Sequence, residues 1–215
     1  MTVPSWLHLD REEIANSLTH GVGALLSVTG LVVLVALAVH YGDALHILSA
    51  ALYGGSLVFL YTASTLYHGI RIPRIKQFFR LLDHVGIYLL IAGSYTPFTL
   101  VTLHGGLGWT LFALVWAMAL SGIAYKIFSR RRYPWFSTVY YLLMGWLAVF
   151  FLKPIAASLP ASGLYLLVAG GLSYTVGVIF YAWNRLPYNH AIWHLFVLAG
   201  SAFHFLSVAL YVLPQ

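Results

Sequence analysis

The stretch 190-HAIWHLFVLAGSAFHFL-206 is apolar enough to cross a lipid bilayer as a helix, yet it contains His190, His194 and His204. Ionisable side chains are costly within hydrocarbon, and they persist there when they find partners or perform a function. His190 and His194 have the spacing that places two side chains on one face of a helix, one turn apart. The stretch therefore predicts a membrane helix that carries a polar site near its beginning.

The composition of the whole chain indicates the same environment. Of its 215 residues, 61% are hydrophobic and 7% are charged, whereas a soluble domain carries roughly 25% charged residues. Apolar runs that approach the ~20 residues needed to cross hydrocarbon occur at about 17–39, 46–68, 81–103, 107–126, 136–153, 162–183 and 190–213. We predict an all-α integral membrane protein, a bundle of seven transmembrane helices that forms a single domain over residues 1–215.

The basic residues predict how this bundle is oriented. Of the 11 Lys and Arg residues, all but Lys153 fall in the N-terminal segment and in the loops that follow the second, fourth and sixth spans. By the positive-inside rule, the N-terminus is cytoplasmic and the C-terminus lies outside. Because the basic residues sit in short loops, they indicate topology, and no nucleic-acid partner is expected. The ten residues on the N-terminal side are Arg11, Arg71, Arg74, Lys76, Arg80, Lys126, Arg130, Arg131, Arg132 and Arg185.

With this topology, polar residues of four spans meet near the cytoplasmic boundary. They are Glu13, Asn16 and His20 of the first span, His68 of the second, Asp83 and His84 of the third, and His190 and His194 of the seventh. The chain has no cysteine, so a metal could be held only by histidine and carboxylate. Two histidines one turn apart, with a third from another helix, suit zinc, which accepts neutral imidazoles. Structural histidines are the alternative, and spacing alone does not decide between them.

The other histidines have simpler interpretations. His204 lies ~15 Å beyond His194 along the helix axis, too far to share its metal ion. We expect His204 to be a buried, hydrogen-bonded histidine. His8, His40, His46 and His104 are predicted to lie in loops or at the membrane interface.

A set of motifs, in order along the chain, resembles those of the haemolysin III family. That family is the bacterial branch of the progestin and adipoQ receptor group and is related to alkaline ceramidases. Each motif is short, but together they cover nearly the whole chain. They are 13-EIANSLTHG-21, 64-STLYH-68, 83-DH-84, 93-GSYTP-97 and 190-HAIWH-194.

The resemblance implies a zinc ion near the cytoplasmic side of a seven-helix bundle, in the bacterial cytoplasmic (inner) membrane. It implies that His68, His190 and His194 are the zinc ligands, with Ser64 and Asp83 beside the zinc-bound water. Hydrolysis of amide-linked lipids is ascribed to relatives in the wider group. The family name comes from a cytolytic, pore-forming activity, and bacterial members are also linked to membrane-fluidity homeostasis.

Three functions remain open on this basis. The first is a zinc-dependent hydrolase of an acyl-linked membrane lipid, in which Asp83 takes or relays a proton and Ser64 orients the water. For Asp83, the alternative is a structural pairing with Arg80 or His84. The second function is a zinc-stabilised sensor or membrane-homeostasis protein without turnover. The third is a pore-forming cytolysin, although no predicted helix carries a charged stripe that would line a channel. A haem held by two histidines is a further alternative.

Overall fold

The computed structural model describes residues 10–129 and 134–214, and within them it is all-α. These residues form seven helices long and apolar enough to cross a membrane. The prediction of an all-α chain with seven membrane-spanning helices is thereby confirmed. His8 and the basic residues 130–132 lie outside the described residues. The elements are α1 (Arg11–Tyr41), α2 (Ala44–Gly69), α3 (Pro73–Pro97), a π-helical turn (Phe98–Leu103), α4 (Gly105–Phe128), α5 (Pro134–Trp146), a 3₁₀ turn (Leu147–Phe151), α6 (Leu152–Ser158), α7 (Ala161–Ala182) and α8 (Asn189–Tyr211).

Side-chain caps set the beginnings of the first two helices. The Asp10 carboxylate accepts a hydrogen bond from the Glu12 backbone N–H at 3.2 Å, so α1 begins ahead of its apolar run. Asp43 caps α2 by accepting from the backbone N–H groups of Leu45 (2.9 Å) and His46 (3.2 Å). The hydrogen bond from the His46 ring lowers the pKa of the Asp43 carboxyl. Because the Asp43 cap satisfies N–H groups that no helical bond reaches, α2 can begin directly after the end of α1.

The third long helix changes its winding where it meets Pro97. Proline has no backbone N–H to continue the helical ladder, and the chain goes on as the π-helical turn Phe98–Leu103. It then reverses at His104 and Gly105, whose φ angles are +32° and +56°. Glycine adopts that left-handed conformation without steric cost, so Gly105 permits the immediate start of α4.

Close helix packing brings four helix termini to one end of the bundle. α2 packs against α1 and α3, while α8 packs against α7 and α1. The approach of α2 to α3 depends on Gly86, where an added Cβ would lie 2.9 Å from Leu60 Cδ1 and 3.0 Å from Leu60 Cα. Small residues at such contacts are typical of membrane helices, whose association relies on tight packing. We call the end where α1, α3 and α8 begin and α2 ends the histidine end.

The distribution of side chains suits a lipid solvent. Leu25 and Phe150 are 75% and 83% exposed on the outer surface, whereas His20, Ser64 and His194 are at most 1% exposed inside the bundle. In lipid, apolar surface needs no burial, and polar groups must instead be satisfied within the protein. The chain is an integral membrane protein with a polar interior at its histidine end.

Candidate metal centre

Three histidines from two helices converge at the histidine end. His68 lies in the last turn of α2, and His190 and His194 lie in the first turns of α8. One ring nitrogen from each is within 4.8 Å of the corresponding nitrogen of the other two. The ring centroids are 5.0 Å apart for His68 and His190, 5.2 Å for His68 and His194, and 4.6 Å for His190 and His194. This group could hold a metal ion.

The hydrogen bonding of the three rings supports that interpretation. The Nε2 atoms of His68, His190 and His194 are all buried, and none has a hydrogen-bond partner among the residues described. Buried polar atoms in folded proteins nearly always have partners, because leaving one unsatisfied costs roughly 1–3 kcal/mol. Three such nitrogens at one place are the donor set that a divalent transition metal requires. The residues present therefore fit a zinc ion.

A carboxylate on α1 orients the first of these rings. Nδ1 of His68 lies 2.5 Å from Glu13 Oε2, and the other Glu13 oxygen accepts a hydrogen bond from Lys76 Nζ at 2.9 Å. A carboxylate that accepts the Nδ1–H proton leaves the Nε2 lone pair available for a metal, and it makes the ring more basic. Glu13 thus supports His68 from behind the ligand set and ties α1 to α2 and α3.

The backbone and a hydroxyl of α1 orient the ring of His194. Its Nδ1 lies 3.2 Å from the Asn16 carbonyl oxygen and 3.1 Å from Thr19 Oγ1. The Thr19 hydroxyl has the carbonyl oxygens of Ala15 and Asn16 within reach of its single hydrogen, at 2.9 and 3.0 Å. Because the Asn16 carbonyl can only accept, Nδ1 of His194 carries the proton. This tautomer leaves the Nε2 lone pair of His194 available for a metal ion.

His20 packs against the three-histidine group through the ring of His194. Its ring is stacked on that of His194, with 3.4 Å between centroids and 12° between planes, and its edge meets Tyr61 at 5.0 Å. Both of its ring nitrogens are buried without a partner among the described residues. His20 does not belong to the three-histidine group, and the stacking holds the plane of the His194 ring.

Asp83 and Ser64 lie inside the bundle at the same end. Asp83 is 5% exposed and Ser64 is fully buried. The buried Ser64 hydroxyl has no hydrogen-bond partner among the described residues. His84 Nδ1 lies 3.6 Å from Asp83 Oδ2, which is longer than a hydrogen bond. Asp83 is not part of the metal-ligating group, and the roles of Asp83 and Ser64 as catalytic residues stay predictions.

The remaining described histidines lie outside the three-histidine group. His204 is buried, and its Nε2 lies 3.1 Å from the Leu167 carbonyl oxygen, which confirms the prediction of a hydrogen-bonded structural histidine. His46 belongs to the cap of α2, and His104 occupies the turn before α4. His40 is exposed near the end of α1.

Two cavities meet near His190. A polar cavity of about 760 Å³ is lined by His190 and Asp83 together with several basic and hydroxyl side chains. A narrower apolar cavity of about 200 Å³ runs into the bundle beside His20 and is lined mostly by aliphatic and aromatic residues. Four residues, Ile87, Tyr141, Val178 and Trp193, line both cavities. The site therefore adjoins a polar space on one side and an apolar space on the other.

The supporting residues on α1 were located by the sequence but not given roles. Glu13, Asn16 and His20 have helical spacings of three and four residues, which place them on one face of α1. That periodicity is the signal that marks this face as the one turned towards α2 and α8. Thr19 lies beside them within the same motif, and only its contact with His194 identifies its part.

Comparisons with known proteins extend over nearly the whole chain. A family model described as haemolysin-III related matches residues 9–205. Hemolysin-3 of Bacillus cereus is 52% identical over 204 residues, which cover 95% of this chain and 93% of that protein. Hemolysin-3 homolog of Bacillus subtilis (strain 168) is 50% identical over 201 residues, 94% of each chain. The human monocyte to macrophage differentiation factor is 29% identical over 207 residues, 94% of this chain and 84% of that protein.

Proposed function

We propose that this chain, which belongs to the haemolysin-III related family, is a zinc-dependent hydrolase that cleaves the acyl bond of a membrane lipid. The observation that carries the proposal is the convergence of three histidines whose buried Nε2 atoms have no partner among the described residues, beside a polar cavity that His190 lines and that adjoins an apolar one. A purely structural histidine cluster would satisfy its nitrogens with protein partners. A metal site instead leaves its donor nitrogens without protein partners, because the ion takes their lone pairs.

The donor set favours zinc over other abundant divalent ions. Three neutral imidazoles suit zinc, whereas calcium and magnesium prefer oxygen ligands. Glu13 fixes the proton of His68 and the Asn16 carbonyl fixes that of His194, so both rings present a lone pair without reorganisation. When bound, zinc would supply Lewis-acid chemistry: polarisation of the scissile carbonyl and a lower pKa for a coordinated water.

The proton transfers would fall to Asp83. Hydrolysis adds the hydroxyl of water to the acyl carbon and a proton to the leaving oxygen or nitrogen. In this proposal Asp83 removes a proton from the attacking water and returns it to the leaving group, and Ser64 orients that water. Asp83 lines the polar cavity together with His190, so both face the space that a substrate carbonyl would enter.

The apolar cavity supplies a place for the lipid chain. It is lined by residues such as Leu90, Leu111, Val149 and Val197, and it abuts the polar cavity at Trp193. A lipid lying along both would place its acyl linkage beside the histidines and its chain between helices α3, α5, α7 and α8. Turnover of such lipids would adjust membrane composition, which agrees with a role in membrane homeostasis.

The proposal includes an orientation in the bacterial cytoplasmic membrane. Of the basic residues described, Arg71, Arg80 and Lys126 are among those near the histidine end, whereas Lys153 lies towards the other end. By the positive-inside rule the histidine end and the N-terminus are cytoplasmic, and the C-terminus is outside. A C-terminal alkaline phosphatase fusion should be active and a C-terminal green fluorescent protein fusion dark. The opposite pattern would overturn this orientation.

A second candidate is membrane lysis, which the names of the two Bacillus relatives suggest for those proteins. It is tested by dye release from vesicles that contain the purified protein. Release by wild-type protein without any lipid cleavage would favour lysis over hydrolysis. Cleavage without release would favour the hydrolase.

The decisive experiment compares wild-type protein with Asp83→Asn, using Asp43→Asn at the other end of the bundle as a matched control. The amide keeps the size of the carboxylate but cannot act as a base, so hydrolysis of an acyl-lipid panel should fall by roughly 10²-fold or more. Zinc content and melting temperature should change little, and Asp43→Asn should keep its activity. If Asp83→Asn instead loses zinc and melts earlier, Asp83 has a structural role. No cleavage by the wild type would leave a sensor without turnover.

A further inference from the structure

The polar cavity beside the metal centre carries an excess of positive charge. Arg74, Arg80 and Lys126 line it, and Asp83 is the one carboxylate among the described residues that do so. Arg74 and Arg80 come from one side of the cavity, on α3, and Lys126 comes from the last turn of α4. Three cations around one buried carboxylate leave a net positive space that favours an anionic ligand.

The two arginines are available for such a ligand. Their side chains are exposed, and neither forms a hydrogen bond or ion pair with any described residue. By contrast, Lys76 on the same helix is engaged with Glu13 at 2.9 Å. Arginine presents several N–H donors in a fixed planar fork, which matches the oxygens of a phosphate.

Topology alone does not account for the position of these arginines. The positive-inside rule requires basic residues at one end of the bundle but does not require them to surround a cavity. Arg185 lies in the loop between α7 and α8 at the same end and is exposed, yet it does not line the cavity. Along α3 the cavity is lined at positions 74, 77, 78, 80, 81, 83, 84 and 87, so α3 borders it over several helical turns.

The hydroxyl groups around the cavity suit the same kind of ligand. Tyr67, Tyr125, Thr138 and Tyr181 line it along with the basic residues. Hydroxyl donors commonly supplement arginine in binding phosphate oxygens. Because the cavity shares Ile87, Tyr141, Val178 and Trp193 with the apolar cavity, a single amphipathic molecule can occupy both.

We infer that the polar cavity binds a phosphate group, and that the lipid taken by this protein is an anionic phospholipid. The inference rests on the proposed function only for the idea that a lipid is cleaved there; binding itself does not require turnover. Its phosphate contacts Arg74, Arg80 and Lys126, its chain enters the apolar cavity, and its acyl linkage lies between them beside the histidines. A neutral acyl lipid lacks the group that the basic residues recognise.

The test measures binding to purified protein in neutral detergent. The probes are a short-chain phosphatidylglycerol, the diacylglycerol with the same chains, and glycerol 3-phosphate. We expect phosphatidylglycerol to bind most tightly, because it alone fills both cavities. Equal affinity for phosphatidylglycerol and diacylglycerol would overturn the inference. Glycerol 3-phosphate binding as tightly as the phospholipid would show a site for a soluble phosphate ester and overturn the lipid assignment.

Charge-removal variants identify the binding residues. The double variant Arg74→Gln, Arg80→Gln should weaken phosphatidylglycerol binding about tenfold or more, since each arginine loses a charge-assisted hydrogen bond. Its affinity for diacylglycerol should be unchanged. Arg185→Gln is the matched control for general electrostatic attraction, and a loss as large as that of the double variant would overturn the assignment. Melting temperatures establish that all variants are folded.

The outcome is separable from that of the proposed hydrolysis. Phosphatidylglycerol binding that depends on Arg74 and Arg80, without cleavage of any lipid, would leave the inference standing and the hydrolase wrong. Cleavage of diacylglycerol and phosphatidylglycerol at equal rates, with the double variant unaffected, would leave the hydrolase standing and the inference wrong. Repeating the binding measurement with His68→Ala removes turnover from the comparison. If His68→Ala does not fold, Asp83→Asn serves the same purpose.

Discussion

The two ends of the bundle each contain a histidine paired with a carboxylate, and the two pairs have different structural roles. At the end where α1 stops and α2 begins, which we call the cap end, His46 contacts Asp43 at 2.8 Å, three residues away and close to the surface. At the histidine end, His68 contacts Glu13 at 2.5 Å across 55 residues of sequence. The first pair closes a turn between helices. The second holds one helix against another and directs a ring nitrogen into the interior.

The difference shows that a histidine–carboxylate pair is not in itself a sign of a metal site. What distinguishes the histidine end is that further histidines surround the ring of His68. His68 meets His190 and His194, whereas no comparable group of three potential ligands forms at the cap end among residues 10–129 and 134–214. A metal ion depends on such convergence, because one imidazole cannot hold zinc alone. The comparison can therefore be tested by making the same change at each end.

The largest effect should follow from removing a ligand. His68→Ala or His194→Ala should abolish most zinc binding, since a two-histidine site lacks the third protein ligand. His46→Ala at the cap end should keep about one zinc per chain, and so should His204→Ala. Metal analysis of the purified proteins by mass spectrometry measures this. Full zinc occupancy in His68→Ala would break the assignment of the site.

Removal of the metal should have the next largest effect. An ion that joins α2 to α8 stabilises the folded state by mass action, by about 2.7 kcal/mol when free metal is 100 times Kd. A chelator should therefore lower the melting temperature of the wild type and of His46→Ala. It should have little effect on His68→Ala, which has already lost the ion. An equal shift in all three proteins would mean that the chelator acts elsewhere.

A smaller effect should follow from changing the carboxylate behind the ligand. Glu13→Gln keeps the size of the side chain but weakens its hydrogen bond with the His68 Nδ1–H group. Loss of such a supporting group should lower zinc affinity by roughly 10–100-fold. Asp43→Asn, the equivalent change at the cap end, should leave zinc affinity unchanged. Competition with a chromophoric chelator gives both constants. An unchanged affinity in Glu13→Gln would reduce Glu13 to a packing role.

The smallest effect concerns the cap itself. The hydrogen bond from His46 lowers the pKa of Asp43 in the folded protein, so the carboxylate stabilises the fold above its ordinary pKa of about 3.9. That contribution is lost as pH falls through the lower folded value. Asp43→Asn should therefore melt slightly below the wild type at neutral pH, and the gap should close in acid. A gap that is constant with pH would exclude the charge of Asp43 as its cause.

The sequence was sufficient to predict the seven membrane-spanning helices, because each is an apolar run long enough to cross the membrane. It was also sufficient to place His190 beside His194, since their spacing is local to one helix. The contacts of His68 with Glu13 and of His194 with Thr19 join segments 55 and 175 residues apart. No local periodicity records such distances. The face formed by Glu13, Asn16 and His20 was visible, but its partner could be known only from the packed bundle.

Two irregular segments also escaped prediction. Pro97 indicates that a helix is interrupted there, but the continuation as a π-helical turn depends on packing against neighbouring elements. The break at Leu147–Phe151 in the fifth long helix has no proline or glycine within it. Pro154 follows it closely: it has no N–H for the Phe150 carbonyl to accept, and its ring crowds that carbonyl. A tyrosine of α3 also forms hydrogen bonds with the backbone beside the break.

That tyrosine is Tyr95, and its contacts bear on how the chain is assembled during synthesis. The Tyr95 hydroxyl donates to the carbonyl oxygens of Met144 (3.0 Å) and Gly145 (2.7 Å) and accepts from the backbone N–H of Ala148 (2.8 Å). A helix that enters lipid alone must keep all its own backbone bonds, because hydrocarbon offers no substitutes. Pro154 leaves the fifth long helix (α5, the 3₁₀ turn and α6) short of one backbone bond, so hydrogen bonds from Tyr95 beside the break are of value in hydrocarbon. Because α3 leaves the ribosome before the fifth long helix, Tyr95 is already present when the 3₁₀ turn that it contacts is made.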